Sequence, residues 1–199
     1  MPDSLKLIVG LGNPGPEHTE TRHNAGFWFL DGLAAIHQLG FVPEKKFHGV
    51  TARLVSGDID CRLLKPRTFM NNSGRAVRAI SDYYDIKAGE ILIVHDEIDL
   101  ETGTVRLKQG GGHGGHNGLR DIIEQMGNSD FLRLRIGVAH PGIKKEVINH
   151  VLQRPGTEEK KIIDEAIKRG LDIMPLLFNG ELNKAMTLLH TVKPLETDQ

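Results

Sequence analysis

A chain of 199 residues is long enough for one sizeable hydrophobic core and fits a single domain of ordinary size. With 39% hydrophobic and 26% charged residues it reads as globular rather than disordered, and its formal net charge of -1 means that any nucleic-acid contact must rest on a local basic patch. The lone Cys61 excludes an intramolecular disulfide and fits a reducing cytosol, and no early apolar stretch has the length of a signal peptide or a membrane span.

Leu5 to Leu11 is a short apolar run closed by glycine and proline, the pattern of a buried strand. Asn24 is placed to cap a helix reaching about Leu39, with Phe27, Leu30, Leu33, Ala34 and His37 at helical spacing and Gly40 as a stop. Gly49 to Ser56 and Ile59 to Lys65 read as a hairpin turning at Gly57-Asp58. Asn72 or Ser73 is placed to cap a second helix to about Tyr84, with Ala76, Val77 and Ile80 on one face. Glu90 to Val94 is the next strand and leads into His95-Asp96-Glu97. Thr104 to Lys108 alternates, with Val105 and Leu107 on one face and Arg106 and Lys108 on the other.

The glycine-dense stretch from Gly110 to Gly118 is a loop, followed by a helix from about Leu119 to Met126. Phe131 to Val138 alternates again, predicting Leu132, Leu134, Ile136 and Val138 inward and Arg133 and Arg135 outward. From Thr157 the pattern is helical, with Ile163, Ala166, Ile167 and Met174 on one face, and a last helix covers roughly Leu182 to Leu189. The tail after Thr191 is expected to fray. Alternating strands and helices predict an α/β sheet with helices on its faces, and with no repeat or clear linker residues 1–199 read as one domain.

Polar clusters recur at strand ends. Gly10-Leu11-Gly12-Asn13-Pro14-Gly15 matches the letter of the dinucleotide fingerprint, but that motif needs a helix to start at once, and here Pro14, Pro16 and a polar stretch delay it by roughly ten residues. Asn13 then reads as a polar group at a strand terminus. His23, alone, reads as a locally hydrogen-bonded histidine near a helix start. Asp96 at another strand end changes that reading, because a carboxylate on one ring nitrogen leaves the other free to take a proton from water. His95 alternates away from Asp96 and is read as structural. Asn71 and Asn117 each fit a helix cap; with Asn13 they form three amides at strand ends that suit a carbonyl or a developing oxyanion. His113 and His116 sit in a glycine loop without a zinc pattern, so no metal site is expected. Arg106, Lys108, Arg133 and Arg135 form either a solvated sheet face or a stripe for a phosphate backbone.

Taken together, Val9-Gly10-Leu11-Gly12-Asn13-Pro14-Gly15, Thr21-Arg22-His23-Asn24-Ala25-Gly26, Lys65-Pro66-Arg67-Thr68-Phe69-Met70-Asn71, His95-Asp96-Glu97, Gly114-Gly115-His116-Asn117-Gly118-Leu119 and Arg135-Ile136-Gly137-Val138 resemble bacterial-type peptidyl-tRNA hydrolases, from about residue 5 to 190. The resemblance implies a twisted mixed sheet among helices and cleavage of the ester joining a peptide to the 3′ ribose of tRNA. It implies His23 as general base, Asp96 as its support, and Asn13 as a positioning group. Asn71 and Asn117 are implied to bind substrate near the ester, Phe69 and Met70 to line the wall, and His116 to lie at the rim. It further implies a cytoplasmic monomer with no cofactor and no membrane contact, whose partner is peptidyl-tRNA. His18 stands where the family commonly has tyrosine, as a contact to the tRNA end, and Ala139 replaces a common glycine, with little expected consequence.

Overall fold

Alternation of apolar side chains along seven strands builds one mixed sheet, and the computed structural model describes it within residues 4–191. The strands are β1 (Leu7–Gly10), β2 (Val42–Glu44), β3 (Gly49–Ser56), β4 (Ile59–Pro66), β5 (Ile91–Glu97), β6 (Val105–Gln109) and β7 (Leu132–Gly137). They lie in the order β2-β3-β4-β1-β5-β7-β6. β1 runs parallel to β4 and β5, and β5 parallel to β7, whereas β2, β3 and β4 pair antiparallel and β6 pairs antiparallel with β7. The helices are α1 (Ala25–Ile36), α2 (Ser73–Tyr84), α3 (Asn117–Met126), α4 (Val147–Val151), α5 (Thr157–Asp172), α6 (Met174–Phe178) and α7 (Leu182–Thr191). The tail expected to fray after Thr191 lies outside the described residues. No helix among them is long and apolar enough to cross a membrane.

The hairpin of β3 and β4 falls where Gly57-Asp58 predicts it. Other boundaries shift. α1 stops at Ile36, with His37 and Phe27 outside the buried face that Phe29, Leu30, Leu33 and Ala34 form. The run from Thr157 is broken at Ile173 because Pro175 opens a new helix, the position where its missing N–H costs least. The three-residue β2 and the five-residue α4 are too short to show a period and were not anticipated.

Two apolar layers sandwich the sheet. One packs α1 and α5–α7 on Ile8, Leu63, Leu92, Val94, Leu134 and Ile136; the other packs α2 and α3 on Leu7, Val9, Leu64, Ile91 and Ile93. The chain leaving β1 therefore returns on one face, and the chain leaving the neighbouring β4 on the other. That divergence opens a crevice at the carboxyl ends of the strands, the place where open α/β sheets bind ligands. α1 reaches this edge at very close range: a Cβ on Gly10 would collide with the Gly26 carbonyl, and one on Gly26 would collide with Leu11 N and Val94 O. Gly10 and Gly12 of the supposed dinucleotide fingerprint thus serve close contact with α1.

Candidate active site

His23 lies in a single 3₁₀ turn, Arg22–Asn24, that leads directly into α1. Its ring is largely buried, and Nδ1 lies 2.9 Å from both carboxylate oxygens of Asp96. Because the strand continues through Glu97, side-chain parity sends Asp96 to the α1 face, with Leu92 and Val94, and His95 to the opposite face. A carboxylate can only accept here, so Nδ1 of His23 carries the proton and Nε2 presents a lone pair. Nε2 has no hydrogen-bond partner among the described residues and is not sealed from solvent.

Asp96 holds a second imidazole. His116 Nε2 lies 2.9 Å from Asp96 Oδ1, and the His23 and His116 ring centroids are 4.9 Å apart. His116 is therefore a partner of the carboxylate and not a rim residue. It is also the N-cap of α3: its Nδ1 accepts from the backbone N–H groups of Gly118 (3.2 Å) and Leu119 (3.4 Å). An acceptor Nδ1 fixes the proton on Nε2, so His116 donates to Asp96. Burial works to raise the Asp96 carboxyl, yet the electrostatic pull of the His23 and His116 rings and the hydrogen bonds that both donate hold it well below the usual carboxylate range. Asp96 stays ionised beneath both imidazoles.

The ligand atoms of His23, Asp96 and His116 lie within 4.8 Å of one another, close enough to be considered for a cation. Hydrogen-bond polarity opposes that use. A neutral imidazole that coordinates through Nε2 must carry its proton on Nδ1, and at His116 that proton would face two backbone N–H donors.

Asn13 joins the other wall. Its Oδ1 accepts the Met70 N–H at 2.7 Å, and its backbone N–H and C=O pair with Asn24 Oδ1 (2.9 Å) and Nδ2 (3.0 Å). Asn24 is thus spent on the backbone of Asn13, in the segment that follows β1, and caps no helix with its side chain. The Asn13 Nδ2 keeps a free N–H₂, without a partner among the described residues. Met70 is buried beneath α3, where a Cβ on Gly118 would come within 2.6 Å of its Sδ. A closed circuit results: His23, Asp96, His116, Gly118, Met70, Asn13 and Asn24 each touch the next, and Asn24 follows His23 in sequence.

Asn71 and Asn117 project from this circuit and are exposed. Neither caps a helix; Asn117 Oδ1 accepts only from Arg120, at 3.3 Å. Phe69 is 60% exposed and meets the edge of His18 at 6.5 Å between centroids, across the crevice mouth.

The basic stripe needs correction. Arg106 and Lys108 do lie opposite Arg135 and Arg133 on one sheet face. Arg133, however, is buried: Nη1 donates to Gly112 O at 2.6 Å and Nη2 to Gly111 O, because the glycine loop folds over the strand. Arg135 is half-buried and bonded to Glu97 at 3.0 Å, and Arg106 donates to the Val105 and Leu189 carbonyls. Lys108 alone of the four is exposed, close over Gly111. Ala139 also matters more than expected, since it holds φ 59, a left-handed conformation that favours glycine.

Fold and site define a class of protein: a single-sheet α/β protein whose ionisable centre is a histidine–aspartate pair at the strand ends. A family model described as peptidyl-tRNA hydrolase matches residues 7–197. Peptidyl-tRNA hydrolase from Variovorax paradoxus is 52% identical over 190 residues, 96% of this chain and 90% of that one. The Neisseria meningitidis serogroup A enzyme of the same name is 49% identical, over 96% and 100%. The crystal structure of peptidyl-tRNA hydrolase from Acinetobacter baumannii superposes with a TM-score of 0.93 at 47% identity, covering 96% of this chain and 97% of that one. The chain belongs to the peptidyl-tRNA hydrolase family.

Proposed function

We propose that this protein hydrolyses the ester between peptide and tRNA in peptidyl-tRNA, with His23 as general base. The observation that carries the assignment is the single carboxylate, Asp96, accepting Nδ1–H from one ring and Nε2–H from the other. His23 is left with an unencumbered Nε2 at a solvent-reachable crevice. Water bound there loses a proton to Nε2 as its oxygen attacks the ester carbonyl, Asp96 stabilises the imidazolium that forms, and that imidazolium returns the proton to the ribose oxygen as the ester C–O bond breaks. Such assistance contributes about 10²–10⁴ in rate.

Asn13 Nδ2, Asn71 and Asn117 supply neutral donors for the ester oxygen and the terminal ribose; a developing oxyanion is stabilised by such preorganised donors without a full charge. Phe69 and His18 offer ring faces at the mouth for an unstacked base. Lys108, and Arg135 if Glu97 yields it, meet phosphate. The protein acts as a monomer in the cytoplasm, with no metal in the reaction. Release of N-acetyl-aminoacyl-tRNA as free tRNA and N-acetyl-amino acid, undiminished by a chelator, is the expected result. Binding of that substrate without release of the acyl group would contradict the proposal, and activity restored only by added divalent cation would contradict its metal-free step.

A further inference from the structure

One buried charge beside the site has no task in the chemistry above: the guanidinium of Arg22. It immediately precedes the base, and only 9% of its side chain is exposed. Nε and Nη2 donate to the two carboxylate oxygens of Glu159, each at 2.7 Å. Nη1 donates to the carbonyls of His150 (3.0 Å) and Gln153 (3.3 Å), and the Arg22 backbone N–H donates to Gln153 O at 3.1 Å. Glu159 belongs to the first turn of α5, His150 to α4, and Gln153 to the link between them. That corner is itself tied to the sheet, because His150 Nε2 donates to the Val138 carbonyl at 2.9 Å.

We propose that Arg22 is a positioning residue for the reaction: it anchors the turn Arg22–Asn24 to the α4–α5 corner, so that His23 meets Asp96 in register. The inference rests on the reading of His23 as general base. On the carboxyl side the turn is fixed by the glycine contact of α1 with β1. On the amino side the chain from Gly15 to Glu20 is mostly exposed, held by the Trp28 indole N–H on the Thr19 carbonyl at 2.8 Å and by the exposed Arg154–Glu20 pair. Arg22 supplies the buried anchor there. Only a planar fork of donors can engage one carboxylate bidentately and two carbonyls at once; a lysine has a single nitrogen to share among them.

The test compares wild type, R22K, E159Q and H23Q on N-acetyl-aminoacyl-tRNA, recording kcat, KM and Tm. Misplacing a group by about 1 Å costs about 10²-fold, so R22K should lower kcat by about tenfold to a hundredfold with KM held within about threefold. E159Q should lower kcat by less, with KM likewise held, and it decides the matter if R22K does not fold. A lower Tm with unchanged kcat would overturn the proposal and leave Arg22 a purely structural tie. A rise in KM alone would overturn it too, by assigning Arg22 to substrate seating. Wild-type turnover by H23Q would instead remove the general-base reading itself, whereas an inactive H23Q beside an unaffected R22K would remove only the positioning claim.

Discussion

Lowering the pH should destabilise this protein through one imidazole that the reaction does not use. His95 is completely buried; its Nδ1 donates to the Asp96 carbonyl at 2.7 Å, and its Nε2 has no partner among the described residues and no access to solvent. A proton added at Nε2 would be a buried N–H with nothing to bond. Burial, first, and the electrostatic effect of the neighbouring His116 ring push the His95 pKa down to about 3. The unfolded chain takes up that proton near pH 6.5, the ordinary histidine value, and the folded chain does not. The stability present above about pH 6.5 is therefore lost as pH falls from there towards about 3, at about 1.4 kcal/mol per unit. Between pH 7.5 and pH 4.5 the loss from this residue amounts to about 2.7 kcal/mol. Urea unfolding of wild type and H95N across that range isolates it, since the other groups titrate in both and asparagine keeps a donor for the Asp96 carbonyl. The wild-type curve should fall more steeply by that amount. Parallel curves, differing by less than about 0.5 kcal/mol in their pH-induced loss, would refute the buried neutral imidazole.

Further outcomes follow from the same geometry. Ala139→Gly relieves a left-handed alanine costing about 1–2 kcal/mol, partly offset by the backbone entropy of glycine, so urea unfolding should show a net gain of about 0.5 kcal/mol, and a loss would mean that the methyl group is packed usefully. Lys108→Ala should reduce the slope of log affinity for tRNA against log salt by about 1, while leaving hydrolysis of a minimal substrate carrying only the terminal nucleoside unchanged; an equal loss on both would contradict a backbone contact. Arg133→Met removes the two bonds to Gly111 and Gly112, so amide exchange across residues 110–118 should accelerate, and unchanged protection there would show that the loop holds itself.

Much of the site was legible because strand ends and side-chain parity are local properties. Asp96 and His95 were separated by alternation alone, and Asn13 by the failure of a helix to follow the glycine motif. What escaped depends on elements distant in the chain. Arg133 reads as outward on any alternating strand; whether that face meets water depends on the glycine loop folding back over it. Asn24 and Asn117 both carry the chemistry of a cap, yet the backbone of Asn13 claims the first and His116 performs the capping beside the second. Arg22 gave no local signal, because its carboxylate partner lies 137 residues away. The break at Ile173 is different, because Pro175 is a local signal for it in the sequence.

The account turns on His23 activating water, and single-turnover hydrolysis of N-acetyl-aminoacyl-tRNA by His23→Gln, at enzyme concentrations that saturate substrate binding, tests that claim without interference from affinity. Glutamine keeps a hydrogen-bonding side chain in a similar volume but cannot take up the water proton. The rate should fall by about 10²–10⁴ with an unchanged Tm and undiminished tRNA binding. A rate within about tenfold of wild type would contradict the assignment of His23 as the general base.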